Sequence, residues 1–295
     1  MVRRPCGENS NPSIMKFSLF RDYGAQNSKP VFDAFADSLV SSGHMVVDNS
    51  YDCDVGVIWS VLFNGRMAPN KKVWDDFHAH NKKIIVLEVG GLIRGTTWKV
   101  AVGGINREAY FGPKGNDNSR ANKLGLELKP WTNNGDSIVI VGQHERSHQW
   151  RNNPNMSSWV SEQIRKIREH TDKDIIWRPH PRFPVNSLEE DFKNVYRQNP
   201  VQVQDTYDDF DFDCKGAYAV VNHSSNPATH SVIEGVPVFV SEASLAYDVG
   251  NPNYNTINDP IRPDRTQWLN DIAHTEWTLE EIAGGEPLKH LTSVL

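Results

Sequence analysis

The sequence predicts an α/β protein built from two consecutive units, each a sheet of mostly parallel strands covered by helices. Short apolar runs rich in β-branched residues alternate with segments whose apolar residues recur at helical spacing, which is the pattern of βαβ units. The alternation stops once, over residues 112–136, where Gly, Asn and Lys predominate, and then restarts. Because 295 residues suffice for two domains, this segment is the predicted linker between them.

In the first unit, four strands and two helices are predicted. Each strand is an apolar run that ends at a polar or glycine-rich loop, and the four runs are residues 16–20, 45–47, 55–59 and 83–87. A helix is predicted over 30–42, because its apolar residues have helical spacing and Gly43 follows the last turn. The second helix is predicted over 71–81.

In the second unit, five strands are predicted, over residues 137–141, 174–177, 201–204, 217–221 and 237–240. One helix is predicted over 157–169, with a serine at its start, and a short helix that Gly235 ends precedes the last strand. Two closing helices are predicted over 264–273 and 278–283, and Thr278 with Glu281 predicts a capping box at the start of the second.

These elements predict two Rossmann-like domains that face a cleft. The first domain covers residues 15–125, the second covers 136–262, and closing helices with a tail occupy 263–295. In open α/β sheets, ligands bind beyond the carboxyl ends of the strands. The loops that follow the predicted strands are therefore where site residues are expected.

Composition excludes several classes of protein. Cys6, Cys53 and Cys214 are far apart and form no CxxC pair, so we expect neither a disulfide framework nor a structural zinc site, and we expect a reducing compartment. No apolar run approaches the ~20 residues that span a bilayer, and residues 1–14 lack the apolar stretch of a signal peptide. We therefore expect a cytoplasmic protein without a membrane partner.

The segment that begins at Ser224 and Ser225 carries the clearest chemical signal. A predicted strand ends there, two hydroxyl residues precede a short helix, and Gly235 begins a Gly-x-Pro-Val turn into the next strand. The unpaired N–H groups and partial positive charge of a helix N-terminus form a site for a phosphate. The alternative is that either serine only caps the helix.

A second signal is the run Arg178-Pro179-His180-Pro181-Arg182, which follows another predicted strand. The two prolines restrict the backbone, and His180 with a flanking arginine could donate hydrogen bonds to phosphate oxygens. The alternative for His180 is an ordinary structural hydrogen bond.

These two motifs, in this order, resemble the carboxy-terminal half of GT-B-fold glycosyltransferases, and most closely the capsule-type and polysialyl-type transferases. Such enzymes carry a His-Pro motif and then a Ser-Ser-x₉-Gly-x-Pro-Val segment. The resemblance covers about residues 137–245. It implies a nucleotide diphosphate sugar as the donor, with a UDP-sugar expected, and no required cofactor or metal ion.

The same resemblance implies roles for particular residues. The nucleotide phosphates and their surroundings would be bound by Gly142, His144, Arg146, Arg178, His180, Ser224 and Ser225. The family often places a glutamate five residues before the motif glycine, where it contacts the ribose. This chain has His230 at that position and Glu234 directly before Gly235, and both are candidates for donor binding.

The whole chain also resembles a group of small proteins of marine tailed phages. The likeness rests on the segments FRDYGAQNSKPVFDAF, VIWSVLFNGRM, VLEVGGLIRGTTWKVAVGGINREAYFG and DRTQWLNDIAHTEW. Phages use GT-B transferases to glycosylate hydroxymethylated pyrimidines in their own DNA. The resemblance therefore implies double-stranded DNA as an acceptor and the host cytoplasm as the location.

Two carboxylates are candidates for the catalytic base that accepts the acceptor's proton. Glu88 follows a predicted strand and precedes Gly90 and Gly91, which would let a substrate approach the backbone. Asp22 follows the first predicted strand. The alternatives are that Glu88 pairs with a nearby lysine or arginine and that Asp22 caps its loop.

Charge is distributed unevenly, although the net charge is −6. Residues 201–295 hold 15 acidic and 4 basic side chains, whereas residues 94–129 hold seven basic and three acidic ones. A basic, aromatic-bearing segment suits a phosphodiester backbone. The acceptor-binding candidates are Trp98, Lys99, Lys114, Arg120 and Lys123. The alternative is a solvated linker.

We therefore predict a glycosyltransferase with a nucleotide sugar donor and hydroxymethylpyrimidine DNA as the favoured acceptor. A polysaccharide or glycan transferase is the second interpretation. A non-catalytic nucleotide- or sugar-binding protein is the third, because fold alone does not determine function.

Overall fold

The computed structural model describes residues 13–206 and 209–295 and contains two sheets. The first five strands belong to one sheet: β1 (Lys16–Leu19), β2 (Met45–Asp48), β3 (Val55–Trp59), β4 (Lys83–Val89) and β5 (Trp98–Val102). β1 to β4 pair in parallel, whereas β5 runs antiparallel to β4. The predicted α/β class is confirmed for this unit, and β5 is a strand that the sequence analysis missed.

The second sheet is parallel throughout. It contains β6 (Ser137–Val141), β7 (Asp174–Arg178), β8 (Val195–Arg197), β9 (Ala217–Asn222) and β10 (Val238–Val240). The strands lie in the order β10-β9-β6-β7-β8. The predicted strand over 201–204 is wrong, since that segment makes a single bridge between Gln202 and Phe210 and the edge strand is β8. Val201 and Val203 are exposed, so their alternation did not indicate a buried strand.

Eight α-helices lie in the described ranges. They are α1 (Lys29–Ser41), α2 (Asn70–Ala79), α3 (Ser119–Lys123), α4 (Met156–Arg168), α5 (Asn226–Ile233), α6 (Thr266–Ile272), α7 (Leu279–Ala283) and α8 (Glu286–Leu291). Asn155 caps α4, so that helix begins one residue before the predicted start. The capping box of Thr278 and Glu281 is confirmed. None of these helices is long and apolar enough to cross a membrane.

Both faces of each sheet are buried. In the first sheet, Val57 and Leu87 pack with α1 on one face, and Ile58 and Val86 pack with residues of α2 on the other. The second sheet likewise separates a cluster that contains α5 and α6 residues from one that contains α4 residues. Burial on both faces explains why the strands are continuous apolar runs such as KIIVL.

The end of the described chain returns to the first sheet. A two-residue strand, β11 (Glu276–Trp277), pairs antiparallel with β5 and gives the order β11-β5-β4-β3-β1-β2. α7 packs against α1. The sequence predicts closing helices over this region. The structure also contains β11, an edge strand between α6 and α7 that joins this region to the first sheet.

A buried ion pair stabilises this return. Arg120 of α3 donates to both carboxylate oxygens of Glu281, and the two side chains are only 7% and 5% exposed. The Arg120 guanidinium also lies 4.0 Å from the centre of the Trp277 ring. Burial by itself raises the pKa of Glu281, but hydrogen bonds from Arg120 and Lys123 outweigh it and hold the pKa at about 2.

We predict that Arg120→Met lowers the free energy of unfolding at pH 7 by about 3–5 kcal/mol, because it removes the buried partner of the buried Glu281 carboxylate and leaves Lys123 as its remaining cationic partner. The matched control is Lys123→Met. Lys123 also binds Glu281, but its side chain is 65% exposed, so its loss should cost less than about 1 kcal/mol. Urea denaturation measures the free energy of unfolding of both variants, and an equal loss of stability in the two would contradict this account.

The same measurement has a pH dependence. The pKa of Glu281 is held near 2 in the folded protein, below its usual value of 4.5. Its contribution to stability is therefore fully present above about pH 4.5 and is lost as the pH falls toward 2. The difference between the wild type and Arg120→Met should shrink over that interval.

Candidate functional site

A cavity of about 230 Å³ lies where the carboxyl ends of strands from both sheets come together. The first sheet contributes Trp59 and Ser60 at the end of β3, Glu88 and Val89 at the end of β4, and Lys99 near the start of the antiparallel β5. The second sheet contributes the loops after β6, β7 and β9, with Gln143, His144, His180, Arg182, Ser225 and Asn226. This is the strand edge at which ligands bind in open α/β sheets.

Glu88 is the carboxylate that lines this cavity. It lies within β4, which extends two residues beyond its predicted end. Its Oε2 accepts a hydrogen bond from Ser60 Oγ at 2.5 Å, and its Oε1 accepts one from the Val89 amide at 2.8 Å. Burial raises the pKa of Glu88, and Lys99 and Arg94 oppose that rise. A half-buried carboxylate with a raised pKa is suited to accept a proton near neutral pH.

The two glycines after Glu88 serve a different purpose from the predicted one. A Cβ on Gly90 would collide with the Thr97 carbonyl, and a Cβ on Gly91 would collide with the Asn226 side chain. The side on which each residue would carry a Cβ is therefore filled by the protein itself. The Glu276 carboxylate accepts hydrogen bonds from the Gly91 amide at 2.7 Å and the Leu92 amide at 2.9 Å.

Asp22, the other candidate base, does not line the cavity. It lies on a 3₁₀ turn (Arg21–Tyr23) after β1, and its side chain is exposed. Its backbone amide donates to Asn49 Oδ1 at 3.4 Å. The structure therefore favours the alternative that Asp22 is a loop residue. Of the two candidate bases, Glu88 is the one that lines the cavity.

His180 and His144 form the opposite wall, with their ring centres 5.2 Å apart. The Arg182 amide donates to His180 Nδ1 at 3.1 Å, and the Arg146 amide donates to His144 Nδ1 at 3.2 Å. An amide N–H can only donate, so in each neutral ring the proton lies on Nε2. Burial, together with the nearby His144 and Arg182, lowers the pKa of His180 to about 3. Burial also lowers the pKa of His144. Both imidazoles are therefore neutral Nε2–H donors.

Ser225 and Asn226 bring the start of α5 to the cavity. The Ser225 hydroxyl accepts a hydrogen bond from Asn222 Nδ2 at 2.8 Å, which leaves its own proton to donate. Pro227 has no amide N–H, so this N-terminus offers fewer donors than most. Ser224 does not line the cavity, because its hydroxyl and amide both donate to Gln143.

A second cavity of about 500 Å³ adjoins the first and shares His180, Arg182, Ser225 and Asn226 with it. Gly142, Arg178 and His230 line this second cavity. Arg178 is buried and pairs with Asp211 at 3.1 Å. Phe212 lies beside it, and the His230 ring meets the Phe212 ring edge-on at 5.8 Å between centres. The predicted donor residues therefore divide between two connected cavities.

Besides Ser224, two predicted donor residues lie outside both cavities. Arg146 is exposed and donates to Asn64 Oδ1 at 3.2 Å. Glu234 is the C-cap residue of α5, at the opposite end of that helix from Ser225. Neither lines the two cavities.

The basic residues predicted to bind an acceptor are paired with acids. Lys114 lies 3.5 Å from Asp248, and Arg120 and Lys123 both bind Glu281. Trp98 pairs in register with Trp277 and packs against the core of the first sheet. Lys99 differs, because it is buried and lines the cavity, where its Nζ donates to Asn226 Oδ1 at 3.0 Å.

Several cavity residues had no sequence signal. Ser60 and Gln143 each follow a predicted strand by one or two positions, and that placement is the only pattern that could have found them. Gln149 reaches the cavity from a 3₁₀ turn (His148–Trp150) that was not predicted. Within the described residues, no group of three or more His, Cys, Asp or Glu side chains is arranged to hold a metal ion.

Comparison with known proteins shows the fold. No protein-family model and no curated protein matches the chain. A solved structure of Thermosulfurimonas dismutans KpsC, a beta Kdo 2,7 transferase, aligns with a TM-score of 0.50 at 15% identity over 91% of this chain and 97% of its own. The beta Kdo 2,4 transferase of the same KpsC aligns with a TM-score of 0.50 at 12% identity over 93% of this chain and 98% of its own. At such identities the likeness shows a shared fold, which is GT-B-like.

We predict that His180 stays neutral, as the Nε2–H tautomer, between about pH 5 and pH 8. Burial disfavours the charged imidazolium, and the nearby His144 and Arg182 disfavour it as well, so that the pKa of His180 falls to about 3. Long-range ¹H–¹⁵N spectra measure the tautomer, with the His180→Gln spectrum assigning the signal. Protonation near the ordinary value of 6.5, or an Nδ1–H tautomer, would show the assignment to be wrong.

Proposed function

We propose that the protein is a glycosyltransferase that moves a sugar from a nucleotide-activated donor to an acceptor hydroxyl. The observation that carries the proposal is the first cavity itself. It brings one half-buried carboxylate, Glu88, from the first sheet to face the hydrogen-bond donors His144, His180 and Ser225 of the second. The shared fold of two Kdo transferases supports the same reaction class.

The donor's phosphate is assigned to the wall formed by the second sheet. The Nε2–H groups of His180 and His144 and the hydroxyl of Ser225 are neutral donors held by backbone and side-chain hydrogen bonds. Fixed donors stabilise the negative charge that builds on the leaving phosphate as the sugar–oxygen bond breaks. Arg94 and Arg182 line the same cavity and add positive charge.

The nucleoside is assigned to the adjoining cavity. Its volume of about 500 Å³ and its shared boundary at His180 and Ser225 allow one molecule to span both cavities. Phe212 and His230 offer aromatic surfaces to a base. The proposed donor is a nucleotide diphosphate sugar, with UDP as the first nucleotide to test, and no metal ion is included.

Glu88 is assigned the role of base. In the proposed step, the acceptor's O–H proton passes to the Glu88 carboxylate while the acceptor oxygen bonds to the anomeric carbon. The bond from that carbon to the phosphate oxygen breaks, and the nucleotide leaves with the electron pair. The raised pKa of Glu88 makes the carboxylate a stronger base than an ordinary glutamate, and a general base is most effective when its pKa lies near the working pH.

The acceptor is the less defined half of the proposal. Lys114, Arg120 and Lys123, on which a DNA acceptor depends, each contact an acidic side chain. Hydroxymethylated phage DNA is therefore one arm of the acceptor assay, beside oligosaccharide hydroxyls. Nucleotide-activated Kdo joins UDP-sugars in the donor panel, because both structural neighbours are Kdo transferases.

The test compares Glu88→Gln with Asp22→Asn in nucleotide-release assays over that panel. We expect Glu88→Gln to lower kcat about 10²–10⁴-fold, because the base is lost while the shape of the cavity is kept. Its affinity for the nucleotide should not change. Asp22→Asn removes an exposed carboxylate outside the cavity and should leave kcat unchanged.

Two results would contradict the proposal. Nucleotide binding without turnover of any donor would favour the non-catalytic binding protein. Full activity of Glu88→Gln together with loss of activity in Asp22→Asn would move the base to Asp22.

A further inference from the structure

Ser60, the residue after β3, is 4% exposed and lines the first cavity. Among the described residues with a side chain, only Ser60 combines burial, this position in the cavity and a positive φ. Its φ is +62°, in the left-handed region that residues with a side chain seldom adopt. The other described non-glycine residues with positive φ are asparagines and an aspartate, which tolerate it best: Asn49, Asn81, Asn194 and Asp205. A strained serine in a cavity points to a local function.

The hydrogen bonds of Ser60 have a definite direction. Its hydroxyl oxygen accepts from the Leu62 amide at 3.0 Å and lies 2.5 Å from Glu88 Oε2. Because the amide already supplies a proton to that oxygen, the serine's single proton is free to be donated to Glu88. The Val89 amide donates to Glu88 Oε1 at 2.8 Å. Each carboxylate oxygen of Glu88 is thus held by one donor.

The left-handed turn is what allows this arrangement. The Ser60 amide still donates to the Leu87 carbonyl at 2.8 Å, so the residue remains attached to β4 beside Glu88. The chain then turns away from the sheet, and the Leu62 amide folds back onto the Ser60 hydroxyl. The strained backbone at Ser60 therefore occurs together with a hydroxyl whose position is fixed by Leu62 and Glu88.

We infer that Ser60 is a positioning residue for Glu88, which orients the carboxylate in the cavity by donating its hydroxyl proton to Oε2. The inference rests on the proposed role of Glu88 as the base. It adds to that role a residue that does not itself touch the reacting atoms.

The charges around Glu88 determine what the loss of Ser60 should do. Lys99 faces it from β5, Arg94 from the loop after β4, and His144, His180 and Arg182 from the opposite wall. Burial raises the pKa of Glu88, and the Ser60 hydrogen bond is the strongest of the interactions that lower it. Removing the hydroxyl should therefore raise the pKa further, despite the nearby cations.

The experiment compares Ser60→Gly with Ser60→Ala. Both lack the hydroxyl, but glycine adopts positive φ without strain whereas alanine does not. The pKa of Glu88 is measured directly by ¹³C NMR of glutamate-labelled protein, with the Glu88→Gln spectrum assigning the signal. We expect it to rise by about one unit in both variants. The acid limb of the kcat profile should move by the same amount, so that kcat falls about tenfold below both pKa values with KM for the donor unchanged.

The control is Ser38→Ala. Ser38 is a buried serine of α1 whose hydroxyl donates to the Phe35 carbonyl, away from both cavities. The Glu88 signal and the pH profile should not change in this variant. A shift in Ser60→Ala alone would assign the effect to backbone strain and overturn the inference.

The inference and the proposed function fail in different ways. The NMR titration needs no substrate. An unmoved Glu88 signal in both Ser60 variants, alongside wild-type turnover, would overturn the role of Ser60 and leave the function standing. A shifted signal in a protein that turns over no donor would overturn the proposed function.

Discussion

A row of alternating charges across three neighbouring strands is the constraint on which the cavity depends. Glu276 of β11 lies in register with Lys99 of β5, and Lys99 lies in register with Glu88 of β4. Burial lowers the pKa of Lys99, while first Glu276 and then Glu88 favour its charged form. A buried lysine is stable only with such partners. The end of the chain therefore supplies an acid that keeps a cation beside the proposed base.

Two members of this row, Glu276 and Lys99, also fix a cavity loop and join the two sheets. Glu276 accepts hydrogen bonds from Gly91, Leu92 and the hydroxyl of Thr97, so it fixes the loop that carries Arg94 into the cavity. Lys99 donates to Asn226 at the start of α5. The start of α5 is thus held against the sheet that carries Glu88 by a contact between residues distant in sequence.

Local pattern was enough to predict most strands and the loops after them, because βαβ units bury continuous apolar runs on both faces. It also found Glu88, His180 and Ser225, since strand ends share one edge of a sheet. It could not find the partner of Arg120, which is Glu281, 161 residues away. The sequence therefore predicts a DNA-binding surface from these basic residues, whereas in the structure two of them, Arg120 and Lys123, pair with a single buried acid. The sequence could not indicate Ser60, because no sequence pattern shows that a serine has a positive φ.

The central claim is that one nucleotide sugar spans the two cavities, with its phosphate on the His180 wall and its sugar beside Glu88. A crystal structure of the protein with a bound nucleotide tests this most directly. The account predicts phosphate oxygens within hydrogen-bond distance, about 2.7–3.2 Å, of His180 Nε2 and the Ser225 hydroxyl, with the base beside Phe212. A nucleotide bound elsewhere, for example in the separate cavity beside Tyr254, would contradict it.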